Sequence, residues 1–170
     1  MNHRTYVWRT PPDLDRWRHE SDGLGFVRRL MSDPAPCLPA VAMLGDVTLD
    51  EVEPGRVVLS CRPGRHLASF PGVMHGGVIA TLCDTAAALA TQARLPAGYG
   101  GATADLAVRM LRPVRTGDEP VLCTGTVVEG DLRRALTEAR VTGADGTLYA
   151  HATATMLLRP CPPPDDPSHA

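Results

Sequence analysis

A single change of period constrains this chain more than any other feature. From Gly77 to Ala93 it reads GVIATLCDTAAALATQA, rich in alanine and free of proline. Pro71-Gly72 before it and Pro96-Ala97-Gly98 after it supply the breaks, which predicts one helix of about five turns. Four runs follow with period two: Thr103–Leu111, Val121–Val128, Ala135–Val141 and Thr147–Leu158. Their separators are turn chemistry, Arg115-Thr116-Gly117-Asp118, Glu129-Gly130-Asp131 and Ala144-Asp145-Gly146, so the four read as an antiparallel meander. Two shorter β-prone runs, Met43–Val52 and Arg56–Arg62, flank Glu53-Pro54-Gly55 ahead of the helix. A twisted antiparallel sheet of that width can bury a lone apolar helix only by wrapping it. The expected class is α+β, an antiparallel sheet around one long central helix.

That core occupies residues 39–159 of 170, the size of one domain. Residues 1–38 read as an N-terminal extension with a short amphipathic helix over Gly25–Met31, and 160–170, with five prolines, as a disordered tail. All 17 basic residues are arginine, which excludes a pyridoxal Schiff base, a P-loop lysine and a Ser-x-x-Lys nucleophile. A net charge of −2 and 4% aromatic content leave neither a basic patch nor a stacking platform for nucleic acid. The five cysteines form no C-x-x-C pair and the six histidines no i,i+4 metal pair, so no metal site is expected, and the thiols read as free and buried in a reducing cytoplasm. MNHRTYVWRT lacks an apolar leader core, and the nearly uncharged Gly76–Ala93 stretch is too rich in Ala, Gly and Thr, with Asp84 at its middle, to read as a membrane span.

At 100° per residue, Val78, Ile79, Leu82, Cys83, Ala86, Leu89, Ala90 and Ala93 share an apolar sector of about 200°. The remaining sector holds Thr81, Thr85, Ala88, Thr91, Gln92 and one acid, Asp84. A solvated face usually carries several charges, so this one suggests cover by a second protein surface, although a lone acid also fits an exposed carboxylate or an arginine partner. Met74-His75-Gly76-Gly77 opens the helix with two glycines, leaving bare N–H groups at the positive end of its dipole, where a carbonyl can approach and an oxyanion can be held. Asp84 lies eight residues beyond Gly76, about 12 Å along the helix, too far to act on a carbonyl held there. Two helices packed antiparallel about a two-fold axis would bring each acid to the other chain's Gly76.

The strings FPGVMHGGVIATLCDTAAALA, TADLAVRMLRPV and TEARVTGADGTLYAHATATMLL, within about residues 39–158, resemble the hot-dog-fold acyl-CoA thioesterases of the phenylacetic-acid-degradation (PaaI) type. The resemblance implies a cytoplasmic hydrolase of acyl-CoA thioesters that forms homodimers or homotetramers and needs no cofactor. It further implies Asp84 as general base or nucleophile, the Gly76 N–H as oxyanion donor, His75 as an orienting group and Thr103 as a hydroxyl that places water. Around the substrate it implies Ser69, Met74 and Gly77, with Phe70 and Leu106 toward the acyl group. Arg112, Arg133 and Arg134 are suitable forks for the coenzyme A phosphates. One departure stands out: Ser69 occupies the place of the asparagine in the family's Asn-Pro-x-Gly-x-x-His-Gly-Gly, a shorter side chain with fewer hydrogen bonds. A non-catalytic acyl-CoA-binding sensor or scaffold on the same fold is the alternative. The related hot-dog hydratases carry a G-D-x-N-P context that is absent here.

Overall fold

The computed structural model describes residues 3, 5, 13–32, 38–42, 44–70, 72–117 and 119–162. In chain order, α1 (Leu14–Glu20), α2 (Gly23–Ser32) and α3 (Pro39–Ala42) precede β1 (Val47–Glu53) and β2 (Arg56–Cys61). A 3-10 turn at Arg65–Leu67 and a small ribbon, β3 (Ala68–Phe70) with β4 (Val73–Met74), lead into α4 (Gly76–Gln92). The chain continues through β5 (Tyr99–Met110), β6 (Val121–Gly130), β7 (Arg134–Thr142) and β8 (Leu148–Pro160). Both the helix and the alternating runs fall where their periods place them, within a few residues.

The six long strands form one antiparallel sheet in the order β1-β2-β6-β7-β8-β5. The four-run meander is thereby corrected: only β6, β7 and β8 run consecutively, and β5 pairs with β8 at the far edge. The place beside β6 is taken by β2, with Val57 opposite Gly125, so β5 has only the outer side of β8 left. Alternation reports which face a residue lies on, not which strand is its neighbour.

α4 packs against one face of this sheet. Its Ile79, Leu82, Cys83, Ala86, Leu89 and Ala90 pack with Val57, Leu59, Val121, Cys123, Ala139, Val141, Ala150 and Ala152. Small side chains on both surfaces let the backbones approach, and the limit is reached at Gly125, where a Cβ would strike the Ala86 carbonyl. The buried set runs further round the helix than the expected sector: Thr91 and Gln92, assigned to the polar side, are 1% and 8% exposed. Each is satisfied. Thr91 Oγ1 donates to the Ala87 carbonyl at 3.0 Å and meets Thr137 Oγ1 at 3.1 Å, and Gln92 Nε2 donates to the Tyr99 carbonyl at 3.1 Å.

The N-terminal segment contributes to this core. Phe26 and Val27 of α2 belong to the same buried cluster, and Gly23 N–H donates to the Leu95 carbonyl at 2.8 Å. α1, over residues that showed no period, is capped by Asp13, whose carboxylate accepts from Arg16 N–H at 2.9 Å. It packs Leu14 and Trp17 against the core, and its Arg18 carbonyl accepts from Gly98 N–H at 2.7 Å. Cys61, Cys83 and Cys123 are free and buried, burial pushing the Cys61 thiol up to about 11. Most of the Pro-rich tail, from 163 onward, and Cys37 lie outside the described residues. Among the described residues no helix is long and apolar enough to cross a membrane.

Candidate active site

The site begins at the N-terminus of α4. His75 is the N-cap with φ −65° and ψ 135°, and its Nδ1 accepts from Gly77 N–H at 2.8 Å. An accepting Nδ1 carries no proton, so the neutral ring holds its proton on Nε2. Gly77 must be glycine for this contact, because a Cβ there would sit 2.9 Å from the His75 Nδ1. The His75 carbonyl accepts from Val78 N–H at 3.0 Å. Of the two glycine donors at the helix end, one is therefore taken by the cap, while the Gly76 N–H donates to no described residue. The approach to His75 is fixed by the ribbon: Met74 N–H bonds the Val114 carbonyl at 2.9 Å and His75 N–H the Leu67 carbonyl at 2.8 Å.

Asp84 sits two turns along, half-buried. Thr103 Oγ1 donates to its Oδ1 at 2.6 Å, and Oδ2 makes no hydrogen bond with a described residue. Among the described residues no arginine stands within ion-pair distance of it, which removes the arginine-partner alternative there. The flanking hydroxyls are occupied within the helix, Thr81 donating to the Gly77 carbonyl at 2.9 Å and Thr85 to the Thr81 carbonyl at 2.7 Å. Thr103 is aimed by an irregularity: β5 pairs Thr103 with Met156 but Asp105 with Thr155, a bulge in which Ala104 is the extra residue. The half-buried positions accordingly run Thr103, Leu106, Val108, a step of three followed by a step of two. Such a bulge re-aims a side chain without ending the strand. Nothing in the sequence marked it.

The remaining site residues divide. Ser69 is exposed on β3 beside Phe70, which is 75% exposed. Met74, expected next to the substrate, is 3% exposed and part of the main core, its short strand turning it inward. The three arginines are not brought together. Arg112 follows β5, with Nη1 donating to the Leu148 carbonyl at 2.8 Å. Arg133 closes the β6–β7 turn and Arg134 begins β7, and both backbone N–H groups bond Asp131 Oδ1, at 2.7 and 2.9 Å. That turn sits at the opposite end of α4, where Arg94 Nη2 donates to the Gly130 carbonyl at 3.1 Å. Sequence reasoning missed Met110: half of it is exposed, and its Sδ lies 2.9 Å from where a Cβ on Gly76 would stand. Its position follows from the β5–β8 register, which periodicity does not report.

An antiparallel sheet packed around one long central helix is the hot-dog arrangement. The model of the thioesterase superfamily matches residues 71–150. Human acyl-coenzyme A thioesterase 13 is 30% identical over 120 residues, 68% of this chain and 82% of that protein. Among solved structures, a Haemophilus influenzae thioesterase superposes with a TM-score of 0.70 at 21% identity, covering 84% of this chain and 94% of that one. A Streptococcus pneumoniae protein solved with coenzyme A superposes with a TM-score of 0.62 at 21% identity, covering 69% and 88%. The chain belongs to the thioesterase superfamily, and it is a thioester hydrolase of the hot-dog fold.

Proposed function

We propose that the protein hydrolyses acyl-CoA thioesters in a homodimer with two shared sites, each built from Asp84 of one chain and the Gly76 N–H of the other. Asp84 carries this reading: its carboxylate is gripped through one oxygen by Thr103 at 2.6 Å and is open at the other. That open oxygen is suited to take a proton from water as general base, or to attack the carbonyl as nucleophile. The Gly76 N–H, at the positive end of α4, supplies the donor on which the tetrahedral oxyanion rests. Within one chain the two groups are about 12 Å apart, so one carbonyl cannot use both. The β5 edge is 12 residues long and, in this chain, paired on one side only, the kind of edge that a second copy covers by extending the sheet. Pairing of dimers into a homotetramer extends the same proposal.

The thiolate leaves without strong acid assistance, so water activation and oxyanion stabilisation suffice, with no metal or organic cofactor. His75, exposed and with its proton on Nε2, is placed to orient the thioester. Of the three candidate arginines, Arg112 is the one placed away from the β6–β7 turn and suits a coenzyme A phosphate, with Ser69 on the carbonyl side. Human acyl-coenzyme A thioesterase 13 and the coenzyme A-bound neighbour support this substrate class by their own names.

The test is thiol release from short, medium, long and aryl acyl-CoA esters by wild type and Asp84→Asn. Turnover falls by about 10²–10⁴ in the variant, the range of a lost general base, while ester binding persists. Equal turnover in the two proteins would remove Asp84 from the chemistry.

A further inference from the structure

Beyond the β5 bulge, Leu106, Val108 and Met110 follow one another with period two. Leu106 and Val108 are half-buried against the main core, whereas Met110 reaches the first residue of α4 and is 50% exposed there. Its Sδ and Cε lie 2.9 and 3.0 Å from where a Cβ on Gly76 would stand, so the thioether rests on the bare face of that glycine. The Gly76 N–H beside it donates to no described residue. A thioether is a weak acceptor and leaves such a donor open. Other sulfurs are screened: Met74, Met156, Cys61, Cys83 and Cys123 are buried.

Resting on the thioesterase reading above, we propose that Met110 is an oxidation site through which a peroxide switches the enzyme off, its sulfoxide oxygen taking the Gly76 N–H in place of the thioester oxyanion. A sulfur lone pair attacks one oxygen of hydrogen peroxide, the O–O bond breaks and an S–O bond forms. Sulfur loses two electrons, and the second oxygen leaves as water with both protons. The new oxygen is a dipolar acceptor on a side chain with three rotatable bonds, next to an open donor at the positive end of the helix. A thioester carbonyl has to reach this N–H, so the much smaller peroxide reaches the sulfur beside it. Reduction of the sulfoxide by a dithiol enzyme releases the oxygen as water and returns the thioether.

The test treats wild type and Met110→Leu with hydrogen peroxide, leucine being similar in volume and inert to it. Trypsin cleavage after Arg109 and Arg115 releases residues 110–115, in which Met110 is the one methionine, and mass spectrometry reports the added oxygen. The donor is read separately: His75-Gly76 is the one His-Gly pair in the chain, so ¹³C′-histidine with ¹⁵N-glycine labelling isolates the Gly76 N–H resonance. In wild type Met110 gains the oxygen, the Gly76 resonance moves, and thiol release from the best ester of the panel falls by about 10²–10³, the range of a lost oxyanion donor. Methionine sulfoxide reductases, one for each epimer, restore turnover and resonance together. Treated Met110→Leu keeps the turnover it had before treatment. Should that variant fail to fold, the joint return of turnover and resonance in wild type carries the test. A Met110 that gains no oxygen, a Gly76 resonance unmoved by oxidation, turnover unchanged after oxidation, or an equal fall in Met110→Leu overturns the switch and leaves the thioesterase reading standing. No hydrolysis of any ester before treatment, with the Gly76 resonance moving on oxidation, overturns the thioesterase reading and leaves the oxidation site.

Discussion

The two ends of α4 are built on opposite principles. At the C-terminal end Thr91, Gln92 and the following turn are buried or tied down, with donors and acceptors met by Ala87, Thr137, Tyr99, Gly23 and Gly130 of the same chain. At the N-terminal end Gly77 is exposed and Gly76 half-buried, and the Gly76 N–H is left without a described partner. Asp84, midway between, is held by one oxygen and free at the other. An end whose polar groups are satisfied inside the chain anchors the fold. An end left open stands ready for a group from outside, and on the function proposed above that group is the thioester.

The contrast can be broken by exchanging the consequences of substitution at the two ends. Asp84→Ala should remove about 10²–10⁴ of the turnover while the thermal midpoint stays near that of wild type, as read by thiol release and calorimetry. A large fall in midpoint would place Asp84 among the structural groups. Leu89→Ala, at the anchored end, should do the reverse and lower stability by about 2–5 kcal/mol in urea unfolding, since Leu89 is 8% exposed within the core. Thr103→Val tests the link between them: it removes the 2.6 Å bond to Asp84 and should cost about tenfold in turnover with little loss of stability. Thr91→Val sharpens the anchored end. It leaves Thr137, 0% exposed, without its hydroxyl partner and should cost about 1–2 kcal/mol with turnover unchanged.

The smallest effect belongs to the turns. Backbone N–H groups of Arg133 and Arg134 hold Asp131 below its usual carboxylate range, and Thr147 does the same for Asp145. A depressed folded-state pKa contributes stability that is complete above the ordinary aspartate value of 3.8 and disappears as pH falls through the lowered one. Asp131→Asn should therefore lower the midpoint slightly at neutral pH and flatten the slight loss of midpoint below about pH 4. An equal acid slope in the variant would deny that turn its part.

Much of the molecule is legible in the order of its residues, for reasons tied to period and punctuation. The alanine-rich run between Pro-Gly breaks specifies α4, and alternation specifies the strands to within a few residues. His75, Gly76 and Asp84 stand out because two glycines and one acid are unusual on such a helix. What escapes is whatever depends on neighbours. The β5–β8 pairing, the bulge that aims Thr103 and the inward turn of Met74 follow from strand order and register. α1 carries no period of its own; its seven residues are held by a cap at Asp13 and by Trp17 against the core. Thr91 and Gln92 look solvated because they are polar, yet their partners come from β7 and from the start of β5.

The central claim, a site shared between two chains, is tested most directly by mixing two dead variants. Asp84→Asn removes the acid, and Gly76→Val blocks the approach to the helix N–H with a branched side chain. Each alone should be inactive. After unfolding, mixing in equal amounts and refolding, half the dimers should carry both lesions in one site and none in the other, restoring roughly a quarter of the wild-type sites. Recovery of about that activity is the predicted result. A mixture as inactive as its components, at a dimer fraction equal to that of wild type, would place Asp84 and Gly76 in one chain's site and contradict the account.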